Sequence, residues 1–337
     1  MTVQSYAALE AGMTLERWQY DAGVLAPFDA EIKVTHCGVC HSDLHIAKGD
    51  WGGTFPMVAG HEVIGEVIAV GSAADSTLIG KRVGVGWQAG ACLQCDLCVQ
   101  GDENLCLNSR ATCFNGHYGG FADFVRADSR FCHLIPDEIS SADAAPLLCA
   151  GITVYAPLRR YARAGHWRVG VVGIGGLGHL GVKFAKAMGA EVTAFTTSPS
   201  KVEEARELGA HHVVVTSAEN ALKKAKGSLD LLLVTVDASL DWSQYARTLK
   251  PNGVLCFVGA AQNEVNIPVS SLVGRQWVIT GGSIGSRTDM RDMFRMAVLH
   301  SITAKVETLP FEQINTALQR LANNDVRYRF VLEWRLP

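Results

Sequence analysis

The glycine-rich segment Gly173-Ile-Gly-Gly-Leu-Gly178 constrains the fold more strongly than any other stretch of the sequence. It follows an apolar run, Val169–Val172, and opens a helix-like run, Leu177–Met188, as Gly-x-Gly-x-x-Gly does in dinucleotide-binding units. There the glycines permit a tight turn, a close approach to pyrophosphate and close helix packing. Free N–H groups at the helix N-terminus attract the phosphates. The residues predicted to contact a dinucleotide cofactor are Gly173, Gly175, Gly176, Leu177 and Gly178.

Beyond residue 150 the chain alternates strand-like and helix-like runs, which is typical of a parallel sheet covered on both faces. The predicted strands are Val169–Val172, Glu191–Phe195, His212–Val215, Leu231–Val234 and Gly253–Val258, with helices over Leu177–Met188, Lys201–Leu208 and around Leu240–Leu249.

The first 150 residues instead contain short β-type runs separated by Gly and Asp, which indicates a compact, β-rich domain. These runs are Glu31–Thr35, Val63–Val70, Arg82–Val85 and Phe121–Val125. A helix over Thr288–His300 and a strand over Tyr328–Leu332 follow near the C-terminal end. The fold class predicted for the whole chain is therefore α/β, with one β-rich domain and one doubly wound parallel sheet.

The end of the second predicted strand bears on which dinucleotide is bound. NAD sites usually carry an acid about 20 residues after the last glycine, for the ribose hydroxyls. Here the segment is Phe195-Thr-Thr-Ser-Pro-Ser-Lys201, which has no acid. Hydroxyls and a lysine accept a 2′-phosphate that a carboxylate would repel. Thr197, Ser198 and Lys201 therefore favour NADP(H), although they also suit an ordinary turn in which Ser200 caps the next helix.

Four of the ten cysteines lie within fifteen residues, at Cys92, Cys95, Cys98 and Cys106. This spacing lets four thiolates meet on one ion, and four sulfurs with no open position make a closed structural zinc site. An iron–sulfur cluster uses the same ligands. A zinc ribbon that binds nucleic acid is disfavoured, because Asp96, Asp102 and Glu103 make the segment acidic.

A second set of metal-ligand residues comes from three separate segments. They are Cys40-His-Ser-Asp-Leu-His45, Gly60-His61-Glu62 and Cys149. Cysteine and histidine from distant segments are typical of a catalytic zinc with three protein ligands and an open position for a substrate oxygen. The residues alone leave open whether Cys37 or Cys40 is the ligand, and any single Cys or His could equally be a core residue.

Composition excludes several other classes of protein. The chain has 337 residues, 48% of them hydrophobic and 19% charged, with a net charge of −3. It contains no basic block for nucleic acid and no apolar run long enough for a membrane span. Its first 30 residues lack a signal-like apolar stretch, so a cytoplasmic location is expected.

Together these motifs resemble the zinc-containing medium-chain dehydrogenases/reductases, most closely the cinnamyl-alcohol-dehydrogenase branch with its NADPH-dependent aldehyde reductases. The stretches that carry the resemblance are Cys37–Asp43, Gly60–Glu66, the four-cysteine loop, Gly119–Ala122, Pro146–Thr153, Gly173–Met188 and Gly281–Ser286.

The resemblance implies roles for individual residues. It assigns the catalytic zinc to Cys40, His61 and Cys149, with Glu62 beside the metal, so that Cys37 becomes a packing residue. Ser42 and His45 correspond to a proton relay, and Asp43 to the acid that orients His61. His41 and Thr153 correspond to cofactor contacts. Trp51 and Trp87 are equally consistent with walls of the substrate pocket and with the core.

At the level of the whole chain, the resemblance implies a GroES-like zinc domain over 1–149 and 288–337 and a Rossmann domain over 150–287. It implies two zinc ions per chain, a small aldehyde or alcohol as substrate, and a homodimer formed through edge strands near Gly253–Val269. A zinc-free quinone or enone reductase on the same scaffold is disfavoured by the cysteine motifs. A catalytically silent nucleotide-binding protein is the remaining alternative.

Overall fold

The computed structural model describes residues 1–114, 116–163, 165–259 and 264–334. These form two compact units. The first comprises Met1–Cys149, Ser286–Val298 and the chain from Thr303 onwards, and the second comprises Ala150–Gly285 and Leu299–Ile302.

The first unit is built on a seven-stranded sheet. Six strands follow the order Val306–Pro310, Arg329–Glu333, Asp29–Val39, Val63–Val70, Arg82–Val85 and His133–Leu134, and Phe124–Asp128 also pairs with Asp29–Val39. Two small sheets pair Thr2–Ala7 with Glu16–Asp21 and Gln88–Gly90 with Arg110–Ala111. The helices are His41–Lys48, Asp96–Gln100, Ser141–Ala144, Arg287–Leu299 and Ile314–Ala322. The last residue of helix Arg287–Leu299 is assigned to the second unit. Short 3-10 turns occupy Ser76–Leu78, Glu103–Leu105, Ser129–Phe131, Ala145–Leu148 and Phe311–Gln313.

The register of two neighbouring strands in this sheet brings two predicted metal ligands, Cys40 and His61, towards each other. Cys37, near the end of Asp29–Val39, pairs with Val63, the first residue of the antiparallel strand Val63–Val70. The residue that follows the first strand, Cys40, is therefore brought towards His61, which precedes the second. This proximity follows from pairing alone, because antiparallel strands place the end of one beside the start of the next.

The second unit is a six-stranded parallel sheet with helices between the strands. The strand order is His212–Val215, Glu191–Thr196, Arg168–Val172, Leu229–Val234, Leu249–Phe257 and Val278–Gly281. The helices are Ala150–Tyr161, Gly178–Ala187, Val202–Leu208, Ala221–Lys224, Trp242–Ala246 and Val269–Arg275, with a 3-10 turn over Pro199–Lys201. The winding direction reverses at Arg168–Val172, which makes the carboxyl end of that strand the switch point where doubly wound sheets bind ligands.

Several local predictions are wrong. The helix predicted around Leu240–Leu249 is present but shorter, since it covers Trp242–Ala246 and Leu249 begins a strand. The strand predicted over Phe121–Val125 begins only at Phe124, because Phe121 donates to Ala59 and accepts from Tyr6 instead of joining the large sheet. Ser200 does not cap the next helix, which starts at Val202 after the 3-10 turn.

The predicted dimer segment Gly253–Val269 also needs correction. Its strand portion belongs to Leu249–Phe257, which is paired on both sides. The two edges of the sheet are His212–Val215 and Val278–Gly281, and the second of these pairs with Leu249–Phe257. Residues 260–263 of the segment lie outside the described residues.

Among the described residues, no single helix has the length and apolar character to cross a membrane. One bent pair, Ser141–Leu148 with Ala150–Tyr161, meets the length and composition criteria jointly.

Candidate metal centres and nucleotide site

Four predicted metal-site side chains come together in the first unit. The ligand atoms of Cys40, His61, Glu62 and Cys149 all lie within 4.8 Å of one another, and all four residues are buried. Cys40 lies at the N-cap of helix His41–Lys48, in extended backbone conformation. Cys37, the alternative ligand, lies outside this group and directs its thiol to the Gly38 carbonyl.

Asp43 holds the backbone and the imidazole of this group in place. Its Oδ1 accepts hydrogen bonds from the Gly60 N–H and His61 Nδ1, each at 2.9 Å, and its Oδ2 accepts from the Cys40 N–H at 2.8 Å. His61 Nε2 consequently points the other way and lies 3.3 Å from Cys149 Sγ. A histidine that binds a metal through one ring nitrogen is commonly held in orientation by a carboxylate that is hydrogen-bonded to its other ring nitrogen. His61 has this arrangement, with Nδ1 on Asp43 and Nε2 towards the thiols.

Glu62 is fully buried beside the thiols, where its Oε1 pairs with the guanidinium of Arg329. Its Oε2 has no hydrogen-bond partner among the described residues. The carboxylate fits because residue 38 is glycine, since a Cβ there would overlap Glu62 Oε2. A buried carboxylate oxygen without a partner is costly, and a cation beside it would remove that cost.

The electrostatics of the group also fit a cation. Hydrogen bonding from Cys149 lowers the pKa of Cys40 well below its usual value, and the same contact raises the pKa of Cys149. Burial raises the pKa of Glu62 to about 7, although Arg329 opposes this. The contact thus favours the thiolate form of Cys40, which is the form that binds a metal. The ligand types, Cys, His and Cys, are those of a catalytic zinc site.

Aromatic side chains lie against this group. The Trp87 ring makes an edge contact with His61, with centroids 5.0 Å apart, and contacts Trp51 at 5.9 Å. Trp51 is 37% exposed and stacks on His45, whose Nδ1 is bonded to Asp50 at 2.8 Å. The two tryptophans therefore form one aromatic surface that reaches from His61 to solvent.

The polar residues of helix His41–Lys48 lie beside the same group. The Cys40 thiol donates to Ser42 Oγ over 3.7 Å. His41, the first residue of the helix, is exposed, and Ser42 is half-buried.

Sequence reasoning did not identify Arg329, Gly38 or Cys113 as parts of this site. Cys113 is buried, and its thiol lies within 4.8 Å of a His61 ring nitrogen and an Asp43 oxygen. Arg329 lies alone in a strand near the C-terminal end, with no sequence motif around it that would mark it as part of a metal site. The contact between Glu62 and the backbone at Gly38 becomes visible only in three dimensions.

The four-cysteine loop forms a second cluster in the first unit. The sulfurs of Cys92, Cys95, Cys98 and Cys106 lie within 4.8 Å of one another, with pair distances of 3.5 Å and 3.9 Å. Tetrahedral Zn–S bonds of about 2.3 Å place sulfurs about 3.8 Å apart, so the spacing fits zinc. Backbone N–H groups of Gln94 and Cys95 lower the pKa of Cys92 to about 6, which favours the thiolate.

In the second unit the glycine loop has the geometry that a pyrophosphate requires. Gly173 has φ 89°, and a Cβ at Gly178 would overlap the Gly173 carbonyl. A Cβ at Gly175 would meet nothing within 4 Å, so the space above this residue is open. The loop follows Arg168–Val172 at the switch point and precedes helix Gly178–Ala187. The loop therefore lies at the N-terminus of a helix, where free N–H groups attract phosphates.

The residues predicted to select the cofactor lie beside this loop. Lys201 Nζ donates to the Ile174 carbonyl at 3.0 Å, so the lysine bridges to the glycine loop. Thr197 is exposed and Ser198 half-buried. Thr153 is buried in helix Ala150–Tyr161 of the same unit.

Comparison with known proteins agrees with this arrangement. The profile of the alcohol dehydrogenase GroES-like domain matches residues 26–137, and that of the zinc-binding dehydrogenases matches residues 176–298. Aldehyde reductase AdhA of Synechocystis is 41% identical over 331 residues, which cover 98% of each chain.

Two solved structures share the fold over nearly the whole chain. A cinnamyl alcohol dehydrogenase of Sorghum bicolor, SbCAD4, superposes with a TM-score of 0.93 at 37% identity, covering 99% of this chain and 98% of that one. The cinnamyl alcohol dehydrogenase of Helicobacter pylori, complexed with NADP(H), gives 0.90 at 28% identity, with the same coverage. These matches confirm the predicted resemblance and fold class and argue against the zinc-free alternative. The chain belongs to the zinc-binding alcohol dehydrogenase family, among its cinnamyl alcohol dehydrogenases and aldehyde reductases.

Proposed function

We propose that this protein reduces small aldehydes to alcohols, and catalyses the reverse reaction, with NADPH as the hydride donor. The observation that carries the proposal is the buried group of Cys40, His61 and Cys149, beside which Glu62 keeps one oxygen without a partner among the described residues. The names of its relatives support it, since one is called an aldehyde reductase and another was solved with NADP(H).

When bound, zinc would act as a Lewis acid on the substrate oxygen, and NADPH would supply the hydride. Cys40, His61 and Cys149 would hold the metal. Asp43 fixes the imidazole of His61 through Nδ1, which leaves Nε2 as the nitrogen that would bind the metal. Trp51 and Trp87 would line the substrate side with apolar surface, which limits access of water to the reacting carbonyl.

The product oxygen also needs a proton, and the residues of helix His41–Lys48 can provide it. The Ser42 hydroxyl lies next to the Cys40 sulfur and would donate to the substrate oxygen. His45, whose Nδ1 is engaged by Asp50, would take up protons from solvent through Nε2 and so supply, through the same relay, the proton that Ser42 gives up. His41 would contact the cofactor from the exposed start of the same helix.

We infer a second, structural zinc in the four-cysteine loop, which gives two ions per chain. The support is the convergence of four sulfurs with no other ligand atom in the group. A closed site of this kind contributes folding free energy and leaves no position for substrate.

NADPH preference is proposed from the residues next to the glycine loop. Thr197, Ser198 and Lys201 supply hydroxyl groups and a positive charge where an NAD-specific site would supply a carboxylate. Lys201 lies within reach of the loop, as its bond to the Ile174 carbonyl shows. Thr153 would contact the cofactor from helix Ala150–Tyr161.

The experiment is a panel of aliphatic and aromatic aldehydes, assayed with NADPH and with NADH. We expect turnover with a preference of at least about tenfold in kcat/KM for NADPH, because one charged contact to phosphate contributes about 1.5–3 kcal/mol. Ser198→Asp should reverse or abolish the preference, whereas Ser270→Asp, at an exposed position in helix Val269–Arg275, should leave it unchanged. Absence of turnover with every aldehyde would refute the function, and equal rates with both cofactors would refute the preference.

A further inference from the structure

The four-cysteine loop contains a buried acidic residue that is not a metal ligand. Glu103 lies in the turn Glu103–Leu105, between Cys98 and Cys106, and is only 2% exposed. Asp96 of the same loop is exposed. Burying a carboxylate is costly unless charged or hydrogen-bonding partners compensate, so the contacts of Glu103 indicate what it holds.

Glu103 binds the start of a helix that is distant in sequence. Its Oε1 accepts hydrogen bonds from the Arg287 backbone N–H at 2.7 Å and from Arg287 Nε at 2.9 Å. Arg287 is the first residue of helix Arg287–Leu299, and its guanidinium lies 5.2 Å from the centre of the Phe131 ring. The carboxylate therefore satisfies one of the helix N–H groups that lack an intrahelical partner, and it complements the helix dipole.

The backbone of the same residue is tied to the strand beside the candidate catalytic site. Gln88 Nε2 donates to the Glu103 carbonyl at 2.6 Å, and Gln88 directly follows Trp87, whose ring contacts His61. The helix also packs on this strand region, since a Cβ at Gly86 would lie 3.5 Å from Met290 Cε. Glu103 thus joins the loop, the helix and the segment that carries Trp87.

We propose that Glu103 is a positioning residue that couples metal occupancy of the four-cysteine loop to the stability of helix Arg287–Leu299. The coupling rests on the structural zinc inferred above. A metal that fixes Cys98 and Cys106 also fixes the turn between them, and with it the carboxylate. Between Cys92 and Leu107 only Cys98, Glu103 and Cys106 are buried, so the loop has no apolar core of its own. Without the metal the loop therefore loses its order, and Arg287 loses its acceptor. Ser286 Oγ still accepts from the Asp289 N–H, and the Asp289 carboxylate still accepts from the Ser286 N–H. The helix therefore loosens at its first turn and does not unfold completely.

The experiment is amide hydrogen exchange of the full-length, metal-loaded protein, read by mass spectrometry over residues 287–299. Glu103→Gln should speed exchange in this helix about tenfold or more, because the two hydrogen bonds from Arg287 lose their charged acceptor. The matched control is Asp96→Asn, which removes one acid from an exposed position in the same loop and should change exchange less than twofold. Arg287→Ala keeps the carboxylate and the backbone bond, and should give an intermediate acceleration.

The metal dependence separates coupling from a local contact. Removing the loop metal with a chelator, followed by metal analysis, should speed exchange of the helix in wild-type protein to the level of Glu103→Gln. The same treatment should add less than twofold to Glu103→Gln itself. The proposal would be overturned if metal removal left exchange in the wild-type helix unchanged. It would also be overturned if metal removal speeded exchange equally in wild-type protein and in Glu103→Gln. Wild-type protein that binds no metal in the four-cysteine loop would also overturn it. Aldehyde turnover in the same samples tests the proposed reaction separately.

Discussion

Cys40 and Cys92 are both thiols near other thiols, but their surroundings predict opposite consequences of substitution. Cys40 is buried beside His61 and Cys149, whereas Cys92 is half-buried in the loop. Cys40→Ser should remove one metal and lower kcat at least about a hundredfold while the fold persists, because loss of even an outer-sphere partner costs ten- to a hundredfold. Cys92→Ser should remove the other metal and mainly lower thermal stability.

The measurements are metal content, kcat and the midpoint of thermal unfolding for each variant. Cys132→Ser, outside both groups, serves as the control and should change none of the three by much. A Cys40→Ser enzyme that retains the full rate and both metals would show that the catalytic ligand set is assigned wrongly.

Individual residues differ in how far the sequence could reveal them. Cys92, Cys95, Cys98 and Cys106 are close in sequence, so their spacing alone predicts a shared ligand site, and the structure groups their sulfurs. The choice between Cys37 and Cys40 needed the resemblance, because two residues three apart on a strand end are both plausible ligands. Arg329 and Glu103 could not be found, since each acts through a partner more than 180 residues away.

At the scale of elements, apolar spacing identified strands better than it identified short helices. Trp242, Tyr245, Ala246 and Leu249 are all buried at helical spacing, yet Leu249 begins a strand. The reason is pairing, because the backbone at 247–248 accepts hydrogen bonds from residues 227–229 and Leu249 lies opposite Leu229. A helix that continued to Leu249 and a helix that turned into a strand before it would bury the same four residues. The spacing of buried residues alone therefore could not distinguish the two structures.

Three adjacent strands of the second unit are joined near their amino ends by one carboxylate. Glu191 accepts from His166 and Arg168 on one oxygen and from His212 on the other, at 2.6 to 2.9 Å. The hydrogen bond from His212, with that from Arg168, lowers the pKa of Glu191 to about 2. A lowered folded-state pKa stabilises the protein above the unfolded value, about 4.3, and this contribution is lost as pH falls towards 2.

We therefore expect Glu191→Gln to reduce the free energy of unfolding at pH 6 by about 0.2–1 kcal/mol, the range for exposed pairs. The difference from wild type should shrink between pH 4.5 and pH 2.5, because the unfolded wild-type chain takes up a proton at Glu191 in this range whereas the folded protein does not. Urea unfolding at several pH values measures it, with Glu207→Gln as an exposed control. A difference that is constant with pH would mean that the charge of Glu191 contributes nothing.

At the scale of the whole molecule, the glycine loop, the alternating runs and the family motifs together predicted the α/β class and the family correctly, because each depends on local sequence. Local sequence did not predict that Val278–Gly281 is an edge strand that pairs with Leu249–Phe257. One edge of the parallel sheet is Val278–Gly281, a strand late in the unit, so a prediction that placed an edge near Gly253 chose an interior strand.

That edge carries the prediction of a homodimer. Val278 is 45% exposed, and the helix that precedes this strand, Val269–Arg275, has no buried residue and exposes Val269 and Val273 by 71% and 73%. An unpaired strand edge beside exposed apolar side chains invites association with a second copy. We expect light scattering to give twice the 36.2 kDa chain mass, and Val278→Asp to shift the protein to monomers.

The control for this prediction is Val24→Asp, which places the same charge at a valine that is 95% exposed in the other unit. It should leave the dimer intact, since a carboxylate weakens association only where binding removes it from water. A wild-type monomer, or a dimer that tolerates Val278→Asp, would mean that this edge stays in solvent. The exposed valines would then need a different explanation, because a strand edge left open beside apolar surface is otherwise prone to aggregation.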